Sequence, residues 1–470
     1  MRIKASIFLF LLILGYGSIQ AQHYSLYNSR TLAESVENPW VSAFEDACGI
    51  VASNFFIPTV NGDGFLQGDG AEAGRNFLFW NEKLEEPLSD PQGKNHLNVY
   101  GHMNVITIKY LFDKANQTEF LFDHSVKSMS AATVKNMTVN LAQGEGFISS
   151  TPYTSDMGPM NMNLFHYLYA ETSLGVRRRF DETFAAGIKL SYLSGIAHMD
   201  AGIGYSEGVY YPGTDEMEFM MRGQAEYTTY SNDLGISDFL PSFRNPGFSI
   251  SGGIEKKMSE TFKFTLGIKD LGLINWKEKG EQVILAPEDV ISVENFSVLT
   301  KNRAEAEIDD IRAQYAEAHT YRTALPTRFE AGASLNVHPN YTANVLVGYF
   351  TKYKRADLNL INDFKYQDFH LILNAGYNTY ENLLVGLNFL IRSPRVDFFI
   401  GSDNLLPSIK VNRQINNEGY HYDSRTAANM NFGFALRLGP CEGVGNFLNA
   451  DWLNLRDKRG KRRKEECFTF

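Results

Sequence analysis

The sequence contains few cysteines, and their spacing excludes the common zinc and redox motifs. The 470-residue chain has three, Cys48, Cys441 and Cys467, and no two of them form a CxxC pair. Cys441 and Cys467 both lie near the C terminus of a chain that is predicted to be exported, so two alternatives stay open: a disulfide between these two residues, or three unpaired thiols. No cofactor and no metal site is predicted.

Long hydrophobic runs are missing beyond the first 21 residues. Arg2 and Lys4 precede an apolar run, and Ala21 ends a plausible cleavage site, so residues 1–21 are predicted to be a signal peptide. No later segment has the run of about 18 apolar residues that a transmembrane helix needs. The sequence therefore predicts an exported protein that is periplasmic, secreted or an outer-membrane barrel.

Positive charge is in deficit, and the common catalytic motifs are missing. The chain contains 44 Lys and Arg residues and 54 Asp and Glu residues, which gives a formal net charge of −10. This balance argues against nucleic acid as a partner. No phosphate-binding loop, HExxH or GxSxG motif is present, so we expect no enzymatic activity.

What the sequence does contain is long alternation of apolar and polar residues. From Phe248 to Trp276, apolar residues recur at nearly every second position, with a short polar break at residues 259–261. A period of two indicates strands with one apolar face, and two such runs across a polar turn indicate a hairpin. Strands of about ten residues with one apolar face are typical of a barrel that crosses a bilayer.

Because this pattern recurs along most of the chain, we predict an all-β fold. It is a transmembrane antiparallel β-barrel of about 14 strands, with 12 to 16 allowed. One crossing stays unassigned between residues 200 and 246, although Met217 to Tyr227 alternates as a strand does. Apolar residues at spacings of three and four predict one amphipathic helix in a long extracellular loop: Ala304, Ile308, Ile311, Tyr315 and Ala318.

The predicted organisation has four parts and places the protein in the cell outer membrane, with the surrounding lipid as a partner. The parts are the signal peptide at 1–21, an N-terminal segment at 22–96, the barrel at 97–438 and a periplasmic basic tail at 439–470. The N-terminal segment is either a lumen plug or the first strand. The basic run from Lys458 to Lys464 is either a solvated end or a docking segment for a periplasmic protein or for anionic lipid headgroups.

Charged residues on the inward face of the predicted strands are the candidate site. Mutual salt bridges in a polar lumen and a selectivity ring for a solute are the two alternatives. The lumen-facing candidates are Glu171, Lys189, Glu255, Lys263 and Lys269. Glycines in mid-strand on the same face, such as Gly253 and Gly267, permit curvature or leave room for a plug. The alternation predicts that His166 and His198 face lipid near strand ends.

Several short motifs carry a resemblance to a known family. They are Lys189 to Gly195 (KLSYLSG), Lys269 to Trp276 (KDLGLINW), Asn429 to Gly439 (NMNFGFALRLG), Ser25 to Asn28 (SLYN) and Asn38-Pro39. Together they resemble an uncharacterised family of Bacteroidota outer-membrane barrels. That family is related to the long-chain fatty-acid transporter barrels, and more loosely to the PorP and SprF proteins of type IX secretion and gliding.

The resemblance implies a channel or transporter for small or hydrophobic solutes, with the N-terminal segment as a plug of the lumen. The alternative that it implies is a structural anchor or accessory subunit of a type IX secretion or gliding-type envelope complex, with the basic tail as the contact. It assigns no catalytic and no cofactor-binding residue.

Overall fold

The computed structural model describes residues 24–44, 50–69, 88, 90, 92–142, 153–155, 161–211, 213–228, 235–286, 290–294, 310–352, 354–379, 383–405 and 425–439. Most of these residues lie in β-strands. The helices are short: α1 at Leu32–Glu37, α2 at Asn136–Ala142, α3 at 310–315, and the 3₁₀ turns Tyr24–Leu26 and Ile236–Phe239. None of the helices in this part of the chain is long and apolar enough to cross a membrane.

The strands follow one another along the chain, and every pairing between them is antiparallel. Their bounds are β1 Val51–Ser53, β2 Thr59–Gln67, β3 Lys94–Asp113, β4 Thr118–Lys135, β5 Tyr153–Ser155, β6 Met162–Arg179, β7 Phe184–Tyr211, β8 Glu216–Thr228, β9 Pro246–Lys257, β10 Phe262–Trp276, β11 Gly280–Leu285, β12 Val290–Glu294, β13 Ala316–Ala318, β14 Tyr321–Ala324, β15 Arg328–His338, β16 Tyr341–Phe350, β17 Arg355–Tyr366, β18 Phe369–Asn378, β19 Leu383–Arg392, β20 Val396–Ser402 and β21 Arg425–Leu438.

The wall of a closed barrel has fourteen strands, and it is built from fifteen of the elements above. β1 and β2 are two halves of the first wall strand, because both pair with β3 on one side and with β21 on the other. The other wall strands are β3, β4, β6, β7, β9, β10 and β15 to β21. The predicted all-β fold with about 14 antiparallel strands is confirmed.

The strand predicted from Met217 to Tyr227 exists as β8, but it is not part of the wall. β7 is 28 residues long, so its first half pairs with β9 and its second half continues beyond β9. β8 pairs with that second half, and β11 and β12 pair with β8. The second half of β7 together with β8, β11 and β12 therefore continues the sheet beyond the barrel wall, and we call these strands the extension. No crossing is therefore missing, and the broken strand of β1 and β2 supplies the fourteenth wall member.

The predicted loop helix is only partly helical. Residues 310–315 form α3, whereas residues 304–309 lie outside the described part of the chain. Ala316–Ala318 are not helical, because they pair with β11 as β13. Arg312 of α3 forms a salt bridge of 2.8 Å with Glu281 of β11, which holds the helix against this sheet.

The two faces of the wall differ in polarity. In β18, Leu371 and Leu373 face the outside, while His370 and Asn374 are buried in the interior. The same alternation runs through β15 to β19. A polar interior inside an apolar outer surface suits a barrel surrounded by lipid.

The two ends of the barrel differ in the length of their connections. One end carries only short turns between the wall strands, and we call it the short-turn end: 114–117, 180–183, 258–261, 339–340, 367–368 and 393–395. The other end carries the extension and the connections at 68–93, 136–161 and 403–424, and we call it the long-loop end. The polar break that the sequence predicts to be a turn, at residues 259–261, lies at the short-turn end.

Candidate functional site in the barrel lumen

Residues 24–44, called the lumen segment below, lie inside the barrel. The segment begins with the turn Tyr24–Leu26 and continues with α1. Thr31 caps α1, since its side-chain oxygen accepts the amide of Glu34 at 3.1 Å. Tyr24 and Trp40 are each only 1% exposed, and their contacts are with inward positions of the wall strands. The segment therefore fills part of the interior instead of contributing a strand.

Trp40 lies against two glycines of the wall. Gly253 of β9 and Gly267 of β10 are paired across the two strands, and the indole packs on both. An added Cβ at either position would overlap the ring. The ammonium of Lys269 lies 5.8 Å from the centroid of the same ring. The glycine pair therefore forms a seat for Trp40, because only residues without a side chain let the ring approach the backbone.

Glu37 is the main charged contact between the lumen segment and the wall. Its carboxylate lies 3.1 Å from the ammonium of Lys269 and 2.6 Å from the guanidinium of Arg328. Lys269 also contacts Glu330 at 2.9 Å, so the cluster alternates acid and base. Burial alone would raise the pKa of Glu37, but Lys269 and Arg328 outweigh it and hold this pKa well below its usual range.

Further hydrogen bonds reach the lumen segment from several sides of the barrel. The hydroxyl of Tyr27 lies 2.7 Å from that of Thr265 on β10. Other pairs are Tyr24 with Asp357 of β17, Leu32 with Asp397 of β20, Ala43 with Glu255 of β9, and Val41 with Arg177 of β6. Because the partners lie on strands around the wall, the segment is fixed across the lumen and not along one side.

Glu34 of α1 is the acid of the lumen segment that titrates nearest to neutral pH. Its side chain is 1% exposed and accepts hydrogen bonds from the amide of Arg30 at 3.0 Å and the hydroxyl of Ser42 at 3.3 Å. Burial raises the pKa of Glu34 to about 7, although Arg177 acts in the opposite direction. This shift predicts that docking of the segment depends on the protonation of Glu34.

The structure places all five candidates that the sequence singles out inside the barrel, where they are 0–5% exposed: Glu171, Lys189, Glu255, Lys263 and Lys269. They form two groups. Lys263 contacts Glu255 at 3.3 Å and donates to Asn28 of the lumen segment at 3.2 Å, and Lys269 contacts Glu37. Three of the five therefore hold the lumen segment.

Glu171 and Lys189 belong to a second ion cluster that the lumen segment does not enter. Glu171 lies 2.6 Å from Lys127 and 3.0 Å from Lys189, and Lys127 lies 3.2 Å from Asp270. The sequence analysis did not include Lys127 and Asp270 among the lumen-facing candidates, although Lys127 follows the alternation of β4. Each charge in this cluster has an opposite charge in contact. The arrangement is a closed ion-pair network and not a ring of one sign.

Above this cluster, toward the long-loop end, aromatic rings cover the interior. His198 stacks on Trp276 with 5.0 Å between ring centroids, lies 4.6 Å from Tyr167, and its Nδ1 is 3.0 Å from the hydroxyl of Tyr321. Trp276 is fully buried and donates to Thr323 at 2.8 Å. We call this group the aromatic roof.

The lipid-facing assignment of His198 is wrong, and a β-bulge explains it. The pairing of β6 with β7 shifts by one residue between Leu168 and Tyr169. A one-residue shift moves all later side chains to the opposite face, so His198 points inward and is 2% exposed. His166 is half-buried and lies 2.8 Å from the hydroxyl of Ser130.

The opposite side of the lumen is lined by side-chain amides. They come from neighbouring wall strands and are buried: Asn61, Asn359, Asn374, Asn388 and Asn431. Asn431 donates to Asn388 at 3.4 Å, and Asn388 donates to Asp403 at 3.0 Å. Such groups offer hydrogen bonds and little catalytic power. In the described part of the chain, no group of three or more His, Cys, Asp or Glu could hold a metal ion.

Some predictions concern residues outside the described part of the chain. They are the alternative disulfide of Cys441 and Cys467, and the basic run from Lys458 to Lys464.

Other features of the site could not be predicted from the alternation of apolar and polar residues. Residues 24–44 show no alternation, so nothing in them points to Trp40 as a lumen residue. The glycines opposite it do give a signal, because Gly253 and Gly267 leave space on the inward face.

Comparison with known proteins gives one family and a set of distant structural likenesses. No curated protein matches the sequence. A mutant of the TodX monoaromatic hydrocarbon channel shares 8% identity over 86% of this chain and 94% of its own, with a TM-score of 0.46. A Pseudomonas aeruginosa FadL homologue shares 9% identity over 90% of this chain and 99% of its own, with a TM-score of 0.44. The *P. putida* toluene transporter TodX shares 8% over 85% and 91%, with a TM-score of 0.41.

The family match covers most of the barrel. It extends over residues 61–403, from β2 to the end of β20. The chain belongs to the family of unknown function DUF5723.

Proposed function

We propose that this chain is an outer-membrane barrel that passes small or hydrophobic solutes when the lumen segment moves aside. The observation that carries the proposal is the lumen segment, which hydrogen bonds, ion pairs and the packing of Trp40 hold inside a closed barrel. An apolar outer face and a polar interior match the requirements of a bilayer-spanning barrel. In such barrels the short turns face the periplasm, so the long-loop end faces outward.

An interruption of the wall favours hydrophobic solutes among the candidates. Ser53 lies opposite Ile108 of β3 and Thr59 lies opposite Asn104, so the five residues 54–58 span only three on the neighbour. Phe55 and Phe56 have left-handed backbone angles, φ 46° and 63°, and are 46% and 68% exposed. Adjacent aromatic residues in this conformation are strained. Asn54 bridges the interruption, since its buried side chain binds the backbone of Asn104, Val105 and Thr107. We infer that apolar solutes pass between the lumen and the surrounding lipid when these hydrogen bonds open.

The experiment uses the purified full-length chain in liposomes and two readouts. Osmotic swelling measures the passage of small sugars, and uptake of toluene into the vesicle lumen measures the passage of an apolar solute. We expect uptake above that of protein-free vesicles. A variant that lacks residues 55–57 shortens the interruption and loses uptake of the apolar solute.

The matched control is F55L/F56L, which keeps the length of the segment and its apolar character. It retains uptake if the interruption itself is the route. Full-length protein that leaves the vesicles impermeable to every solute would contradict the channel. Fractionation of cells tests the location separately, since recovery of a soluble, detergent-free species from the periplasm excludes an outer-membrane barrel.

A further inference from the structure

Two cations point outward from the wall at its short-turn end. In β6, Arg177 is buried in the interior, so the next residue, Arg178, faces the outside. In β9, Glu255 is buried in the interior, so Lys256 faces the outside by the same alternation. These two strands flank β7, on which Phe184 lies opposite Lys256.

Two phenylalanines connect the cations. The guanidinium of Arg178 lies 5.6 Å from the ring centroid of Phe180, and the rings of Phe180 and Phe184 are 5.9 Å apart. The ammonium of Lys256 lies 5.9 Å from the centroid of Phe184 and 2.8 Å from the hydroxyl of Thr183. We call Arg178, Phe180, Phe184 and Lys256 the cation–aromatic patch.

The surroundings of the patch are apolar on one side and aqueous on the other. Toward the middle of the wall, the neighbouring outward residues are Leu174, Val176, Ala186, Ile188, Ile250 and Ile254. Among the described residues, neither Arg178 nor Lys256 has a carboxylate within ion-pair distance. Asp181 of the same turn accepts the amides of Thr183 and Phe184 at 2.6 and 2.8 Å, so its carboxylate serves the turn.

We propose that the cation–aromatic patch binds an anionic glycerophospholipid in the leaflet at the short-turn end. The inference rests on the proposed function, because it needs the barrel in a bilayer. Arg178 and Lys256 contact the phosphate, and the phenylalanine rings pack against the glycerol and the first acyl carbons. The charge is complementary to an anionic headgroup, and the rings lie where an aromatic belt meets the interface. A soluble anion, in contrast to a lipid, contacts only Arg178 and Lys256 and does not pack against the two phenylalanine rings.

The test measures lipid preference of the full-length chain in nanodiscs that contain phosphatidylcholine with a minor share of phosphatidylglycerol. Lipid that stays with the protein through detergent extraction is quantified by mass spectrometry. We expect enrichment of phosphatidylglycerol. In R178Q/K256Q this lipid binds roughly 30-fold more weakly, because each cation near a charged membrane surface contributes about 1 kcal/mol and 1.4 kcal/mol is tenfold.

The matched control is R179Q/K257Q. It removes the same charge one residue further along the same strands, where Arg179 donates to Ala115 and Lys257 contacts Glu260. We expect its lipid preference to stay within twofold of the unchanged protein. Equal losses in the two variants, no preference for phosphatidylglycerol, or full competition by soluble glycerol phosphate would each overturn the proposal.

The heat-dependent shift of a folded barrel on gels is recorded for every sample. A chain that shows the shift in nanodiscs but no lipid preference contradicts the patch alone. A chain that never inserts contradicts the proposed function and the patch together.

Discussion

Trp40 occupies the space that a side chain at Gly267 would fill. An added Cβ at this position of β10 overlaps the indole, whereas at Gly62 of β2 an added Cβ has no atom of the described residues within 4 Å. The docking of the lumen segment is therefore sensitive to one methyl group at a known place in the wall.

We expect Gly267→Ala to loosen the lumen segment and to increase permeability. Overpacking of this kind costs about 1–3 kcal/mol. Hydrogen exchange over residues 32–43 is then faster than in the unchanged protein, and vesicles swell faster. Gly62→Ala is the matched control and leaves both readouts unchanged. Faster swelling without faster exchange of residues 32–43 contradicts the link between docking and passage.

The docking of the lumen segment should weaken as the pH rises from about 4.5 to about 7. The pKa of Glu34 is raised from 4.5 to about 7 by burial, so the docked state binds the proton more tightly than the undocked state. The stabilisation is thus complete below the lower value and lost as the pH passes the upper value, by roughly 3 kcal/mol. Hydrogen exchange of α1 measured between pH 4.5 and 8 checks this.

Two variants separate the Glu34 effect from a general acid response. Glu34→Gln removes the slope between pH 4.5 and 7, since the amide stays neutral. Glu37→Gln keeps that slope and weakens docking at neutral pH, because it removes the charge that contacts Lys269 and Arg328. An unchanged slope in Glu34→Gln assigns the pH response to another group.

Variants of the ion cluster around Glu171 distinguish the two alternatives for the inward charges, which are mutual salt bridges and a selectivity ring for a solute. Glu171→Gln leaves Lys189 without its carboxylate partner, and removal of one partner of a buried pair costs about 3–5 kcal/mol. We expect a lower melting temperature by heat-dependent gel mobility. Lys189→Gln is milder, since Glu171 keeps Lys127 at 2.6 Å. A changed cation-to-anion permeability ratio with unchanged stability favours the selectivity ring instead.

The anchor hypothesis stays a prediction, and the basic tail tests it. Deletion of residues 457–470 removes the run from Lys458 to Lys464. If the protein is a channel alone, solute uptake into vesicles is unchanged by the deletion. If the tail docks a periplasmic partner, affinity purification from native outer membrane recovers that partner with the full chain only. The Bacteroidota origin and the relation to PorP and SprF proteins stay predictions as well.

The alternation of apolar and polar residues predicts the structure correctly where each strand has one face toward lipid and is followed by a short turn. In β15 to β19 the alternation sets both the strands and their inward residues, because lipid on one side and polar groups on the other constrain every second position. It fails where that constraint ends. β8 alternates as a wall strand does, yet it packs Met217 and Phe219 into an apolar cluster of the extension and not against lipid.

The contents of the lumen are harder to predict because they depend on distant partners. Glu37 meets Lys269 and Arg328, which are more than 200 residues away in the chain. The lumen segment shows neither a period of two nor a long helical period. The inward charges follow from alternation, but which of them contact the lumen segment and which pair with each other depends on where that segment lies.

The pairing of the first and last wall strands has a consequence for the order of assembly. Val51 lies opposite Leu438, so the cylinder has a seam between residues that are synthesised at nearly opposite ends of the chain. Closure must wait until β21 has been made. Because Leu32 meets Asp397 of β20, the N-terminal residues cannot settle before the wall is almost complete. Two orders of assembly follow. Either the wall closes around residues 24–44, or these residues enter the lumen through one end of the barrel after β1 and β21 have paired.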